Sequence, residues 1–95
     1  MVSRGVLSTD LKICVAIYDH NQRKDPIWFS KLVDEFKGES SRATISKSID
    51  KLFDLGMIDG KWEKVESRWT RTFVIAGEAE DLVKKLYEST KDSEA

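Results

Sequence analysis

The stretch 40–58, Ser-Ser-Arg-Ala-Thr-Ile-Ser-Lys-Ser-Ile-Asp-Lys-Leu-Phe-Asp-Leu-Gly-Met-Ile, constrains this chain more than any other. Ser40 or Ser41 can cap a helix, because a side-chain oxygen there accepts from a free N–H of the first turn. Ile45, Ile49, Leu52 and Phe53 recur at helical spacing and make one apolar stripe, with Leu55 at its edge. Gly56 follows the last periodic residue, where a left-handed residue ends a helix without a Cβ penalty. The opposite face carries Ala43, Thr44 and Lys47 first, then Asp50, Lys51 and Asp54. A helix serving only as a solvated lid usually alternates long charges. This one leads with small, hydroxylated and cationic residues, a pattern suited to entering a DNA major groove N-terminus first.

The chain has 95 residues, enough for one domain with a single modest core. Charged residues make up 35% and hydrophobic residues 40%, a globular composition. No apolar run approaches the roughly 18–20 residues that a membrane span needs. The N-terminus lacks the apolar region and cleavage site of a secretory signal, so a cytoplasmic location is expected. The lone cysteine, Cys14, lies in an apolar segment and reads as a buried small hydrophobe. With His20 alone beside it, a metal site has too few ligands. No glycine-rich phosphate loop, carboxylate cluster or nucleophile–base arrangement appears, so neither enzymatic chemistry nor a cofactor is expected.

The formal net charge is −1, which counts against binding by bulk electrostatics. Its distribution says more. Residues 40–75 carry seven cations against five acids, and residues 76–95 carry three against six. A weakly basic middle and an acidic end fit a protein that meets phosphate on one side.

Taken in order, residues 1–7 lack periodicity and are expected to be flexible. Ser8-Thr9-Asp10 is a helix start, with a hydroxyl cap followed by an acid at the positive helix end. The first helix is predicted over 10–21, apolar on more than one side: Leu11, Cys14, Val15 and Tyr18 on one face, Ile13, Ala16 and Ile17 on another. His20 falls at its fraying end. Ile27, Trp28 and Phe29 form a candidate short strand after Pro26, and Ser30 is expected to cap a second helix running to about Lys37, ended by Gly38. So short a link to the third helix makes a helix-turn-helix. Past Gly56 the period changes to two, which predicts strands over 57–65 and 67–76 joined by a turn near Val65, Glu66 and Ser67. Trp62 and Trp69 are expected to pair across this hairpin or to cover the core, with a ligand pocket or base-stacking platform as the alternative. A last helix is predicted over 78–90, with Ala79, Leu82, Val83, Leu86 and Tyr87 inward, before a flexible tail at 91–95.

Helix, short strand, helix-turn-helix, hairpin and helix is the order of a winged helix. Residues 7–87 resemble the small winged helix-turn-helix transcriptional regulators of the MarR, ArsR and PadR kind. The likeness rests on Leu-Ser-Thr-Asp-Leu-Lys-Ile, on Pro-Ile-Trp-Phe-Ser-Lys-Leu, on the 41–58 segment and on the closing Arg-Thr-Phe-Val-Ile-Ala. It implies an α+β, mostly α fold over 8–90, built from a three-helix core, a β-hairpin wing and a C-terminal helix. It also implies that 41–55 is the recognition helix and 58–75 the wing, and that such chains dimerise through terminal helices.

The expected function is therefore a double-stranded DNA-binding transcriptional regulator. Arg42, Thr44, Ser46 and Lys47 are the candidate base readers, with Ser41 at the cap. Lys51, Lys61, Lys64, Arg68 and Arg71 are the candidate phosphate contacts. Asp50 and Asp54 would repel phosphate if the helix lay flat, so only its leading end is expected to enter the groove. A homodimer through the first and fourth helices would set two such helices about one DNA turn apart. The competing expectation is a winged helix used as a protein-interaction module, with the acidic last helix or the tryptophan hairpin as its surface.

Overall fold

The computed structural model of the chain describes residues 7–94. The described residues form four helices, α1 (Thr9–Gln22), α2 (Phe29–Glu35), α3 (Arg42–Asp54) and α4 (Glu80–Glu94), and a hairpin of β1 (Ile58–Val65) and β2 (Arg68–Ile75). A 3₁₀ turn, Gly77–Ala79, leads into α4. This is the winged helix-turn-helix expected from the sequence.

Ser8 caps α1 by accepting from the Leu11 N–H at 3.3 Å. The helix ends with Lys24 in the left-handed region (φ 56°), the Asp25 N–H donating back to the His20 carbonyl at 2.9 Å. Ile13, Val15 and Ile17 are poor helix formers, losing up to about 0.7 kcal/mol each against alanine. Burial outweighs this, at roughly 1.5–3 kcal/mol for each large apolar side chain. Ile13, Cys14 and Ile17 are fully enclosed, and Val15, Ala16 and Tyr18 nearly so. Around α1 close α3, β2 and α4, with Val83 fully buried and the Tyr87 ring 5.2 Å from that of Tyr18. The apolar excess on α1 is thus consumed inside one chain. Leu82, expected to face inward, is instead 54% exposed, the large apolar residue that α4 leaves in solvent among the described residues.

Three local expectations are corrected. The strand at 27–29 reduces to one backbone bond, from the Phe73 N–H to the Ile27 carbonyl at 2.9 Å. Ile27 is drawn into the core, and the helix begins immediately after Trp28. Ser30 therefore sits inside the first turn of α2 and does not cap it, and α2 stops at Glu35. At the ends of the chain, Leu7 is buried and α4 continues to Glu94. The rest of the expected flexible arm, and Ala95 of the expected flexible tail, lie outside the described residues.

In the wing, Ile58 pairs with Ile75 and the ladder runs to Val65 opposite Arg68. Glu66 and Ser67 close it with φ values of 50° and 69°. Two consecutive left-handed residues make the turn whose twist matches the strands. Asn or Gly usually fills those positions, so nothing in Glu-Ser advertised it.

Candidate nucleic-acid interface

The helix-turn-helix leaves α3 buried along Ile45, Ser48, Ile49 and Leu52 and bare on the other side. Ser41 caps it as expected, its Oγ accepting from the Thr44 N–H at 3.1 Å and donating to Thr44 Oγ1 at 3.0 Å. Gly56 closes it at φ 72°, the Met57 N–H returning to the Leu52 carbonyl at 2.9 Å. With both ends fixed, the leading turn is held rigidly away from the core.

All ten candidate residues are exposed, but they do not form one surface. Ser41, Arg42, Thr44, Ser46 and Lys47 cluster at the leading end of α3. Arg42 lies over the Phe29 ring at 4.9 Å, which ties this end to the start of α2. Lys47 makes no ion pair with another described residue. Lys51 turns back to Asp10 of α1 at 2.9 Å, an internal brace. Buried Ser48 bonds the same carboxylate, and the two together hold Asp10 below the usual carboxylate range. Asp50 and Asp54 are exposed on the trailing half, where they line a groove with Phe53, Phe73 and Arg71.

The wing divides the remaining cations by strand parity. On one face the register sets Gly60 opposite Phe73, Trp62 opposite Arg71 and Lys64 opposite Trp69. That face turns to α3, because the Phe73 ring meets Phe53 at 6.0 Å and the Arg71 guanidinium lies 5.0 Å from the same ring. Lys61 belongs to the other face and pairs with Glu63 at 3.1 Å. Arg68 shares that parity but stands at the tip, where it lines a shallow groove with Trp28 and Trp69. Trp62 and Trp69 are 66% and 69% exposed, and neither makes a ring contact with another described aromatic residue. They neither pair nor cover the core, because the hairpin carries them beyond the helices.

Sequence reasoning missed the other polar cluster. His20, expected at a frayed end, is buried with Nδ1 3.0 Å from Asp25 and Nε2 2.5 Å from Glu35. Each ring nitrogen thus faces a carboxylate. Asp25 also accepts from Lys31 at 2.9 Å, and that bond, ahead of the His20 contribution, lowers its pKa. The cluster bolts the end of α1 to α2. Among the described residues no group of three or more His, Cys, Asp or Glu is placed to hold a metal ion, and no helix is long and apolar enough to cross a membrane.

No protein-family model matches the sequence, and no curated protein matches it. Solved structures do. AF1382 from Archaeoglobus fulgidus is 15% identical with a TM-score of 0.70, over 96% of both chains. The circadian clock associated protein Pex from Anabaena is 21% identical with a TM-score of 0.65, over 92% of this chain and 80% of that one. Pex from Synechococcus is 21% identical with a TM-score of 0.59, over 94% and 84%. At these identities the likeness concerns the fold.

Proposed function

We propose that this chain is a winged-helix transcriptional regulator that binds double-stranded DNA, the leading turn of α3 entering the major groove and the wing resting on the backbone. The observation that carries this reading is the exposed leading end of α3, where Arg42 and Lys47 flank Ala43, Thr44 and Ser46. The positive end of the helix dipole points the same way. Acids appear only from Asp50 onward, which favours end-on entry over a helix lying flat. The resemblance to MarR, ArsR and PadR regulators supports the same role.

The test is retention of genomic fragments from around the protein's own gene at several salt concentrations. Replacing both Arg42 and Lys47 with alanine is expected to abolish retention. Each phosphate that the protein neutralises adds about −0.9 to the slope of log affinity against log salt, so the wild-type slope should be steep. Retention unchanged by the double substitution, or insensitive to salt, favours the second reading, a protein-interaction module. That reading draws on the exposed acids Glu80, Asp81 and Glu88 beside Leu82 on α4.

A further inference from the structure

The hairpin sorts its side chains by chemistry. The face turned to α3 holds Ile58, Gly60, Trp62 and Lys64 on β1 and Trp69, Arg71, Phe73 and Ile75 on β2, with no acid among them. Asp59 and Glu63 both lie on the other face. At the root of the clean face, Ile58 and Phe73 are buried; at its distal end, two indoles and two cations stand in solvent. Arg68 adds a third cation at the tip, in a groove that Glu66 also lines. Lys64, Arg68 and Arg71 make no ion pair with another described residue.

An indole two-thirds exposed leaves apolar area in water that folding has not covered. Two of them on one face, interleaved with cations, call for an occupant that is planar, apolar in its faces and anionic at its edges. A duplex does not offer this, because its base faces are stacked on one another and closed to side chains. A single strand offers both parts at once, a π-face on every base and a phosphate at every step. Asp50 and Asp54 line the groove against α3 and confine such a strand to the outer half of the wing, with Arg71, which lines the same groove, at its inner boundary.

We infer that the outer half of the wing is a binding platform for single-stranded nucleic acid. Trp62 and Trp69 stack on unpaired bases, and Lys64, Arg71 and Arg68 hold the flanking phosphates. The platform goes beyond the proposed duplex reading: it shares the wing cations Lys64, Arg68 and Arg71 with it but uses none of the residues at the leading end of α3.

The experiment is equilibrium binding of a fluorescent oligothymidylate at low salt. Wild type is compared with a variant carrying Trp62→Ala and Trp69→Ala, with circular dichroism as the check on folding. Both indoles are exposed, so the variant folds. Its affinity for the oligonucleotide is expected to fall at least roughly tenfold, the scale of one lost base–aromatic stack. Affinity for inorganic polyphosphate, which has the charge but no bases, is expected to stay unchanged. A second variant, Arg42→Ala with Lys47→Ala, keeps oligothymidylate binding while losing genomic duplex, which separates failure of the platform from failure of the duplex reading. Equal oligothymidylate affinity in wild type and the tryptophan variant overturns the inference, as does no binding at low salt. Sedimentation that finds self-association abolished by the tryptophan substitutions overturns it in favour of a second copy of the chain.

Discussion

The side-chain amide of Asn21 closes the outer edge of the wing, its Oδ1 accepting from the Ile75 N–H at 3.0 Å while its Nδ2 donates to the Phe73 carbonyl at 3.1 Å. With the Ile27 carbonyl bonded to the Phe73 N–H, one side chain and one backbone group stand in for a third strand. The wing is thereby fastened to the end of α1.

Asn21→Ala leaves a part-buried N–H and carbonyl on β2 without their partner. Roughly 1–3 kcal/mol of stability should be lost, the cost of stranding such groups. Asn21→Asp should do no better, because it removes the donor and sets a carboxylate against the Phe73 carbonyl. Urea midpoints read the loss, and amide exchange at Ile75 localises it. An unchanged midpoint together with unchanged Ile75 protection would contradict the strand-mimic role.

Asp10 gives a pH signature. Hydrogen bonds from Ser48 and then Lys51 hold its carboxyl below 3.8, against an opposing desolvation. A depressed folded value means that its contribution is fully present above about pH 4 and is lost as the pH falls through the lower, folded value. Asp10→Asn should therefore flatten part of the acid limb of stability. Asp25, also lowered, keeps the remainder. Two acid limbs that superimpose would show the brace to be idle.

Burial, reinforced by the Asp10 charge, pushes the Cys14 thiol up to about 12. The thiolate is the reactive form, so native protein at neutral pH should resist alkylation. Labelling should appear only as denaturant approaches the unfolding midpoint. Rapid labelling of the whole population in native buffer would mean that α1 opens without global unfolding.

Gly60 decides where Arg71 lies. A Cβ at position 60 would stand 2.3 Å from Arg71 Nε and 2.8 Å from Nη2, so Gly60→Ala must push the guanidinium off Phe53. The side chain is flexible, and the loss should stay near the roughly 0.5–1 kcal/mol of an exposed cation–π contact. Oligothymidylate affinity should drop more visibly than the thermal midpoint moves. A large fall in the midpoint with full binding would reverse this assignment.

What the sequence made legible was local. Ser41 caps α3 through Thr44, three residues away, and Gly56 closes it within one turn; both signals are adjacent to what they control. Strand alternation likewise announced the wing. The start of α2 departs from the sequence expectation because Ile27 is claimed by Phe73, far along the chain, and no local propensity reports that. His20 and Asn21 looked like the polar end of a helix for the same reason. Their partners lie fifteen and more than fifty positions away. All ten candidate residues are exposed, but helical spacing alone does not reveal that Lys51 braces α1.

The turn at Glu66 and Ser67 has no slack, and β-strand side chains alternate with a strict period of two. Adding one residue to either strand would invert that strand's display, sending its indole to the rear with its neighbouring cation and bringing an acid or a threonine forward. Lengthening by a pair on each strand would instead keep the display and extend it. Odd insertions within either strand, between its buried root and its indole, are therefore the lesions to which the molecule's outward chemistry is least tolerant.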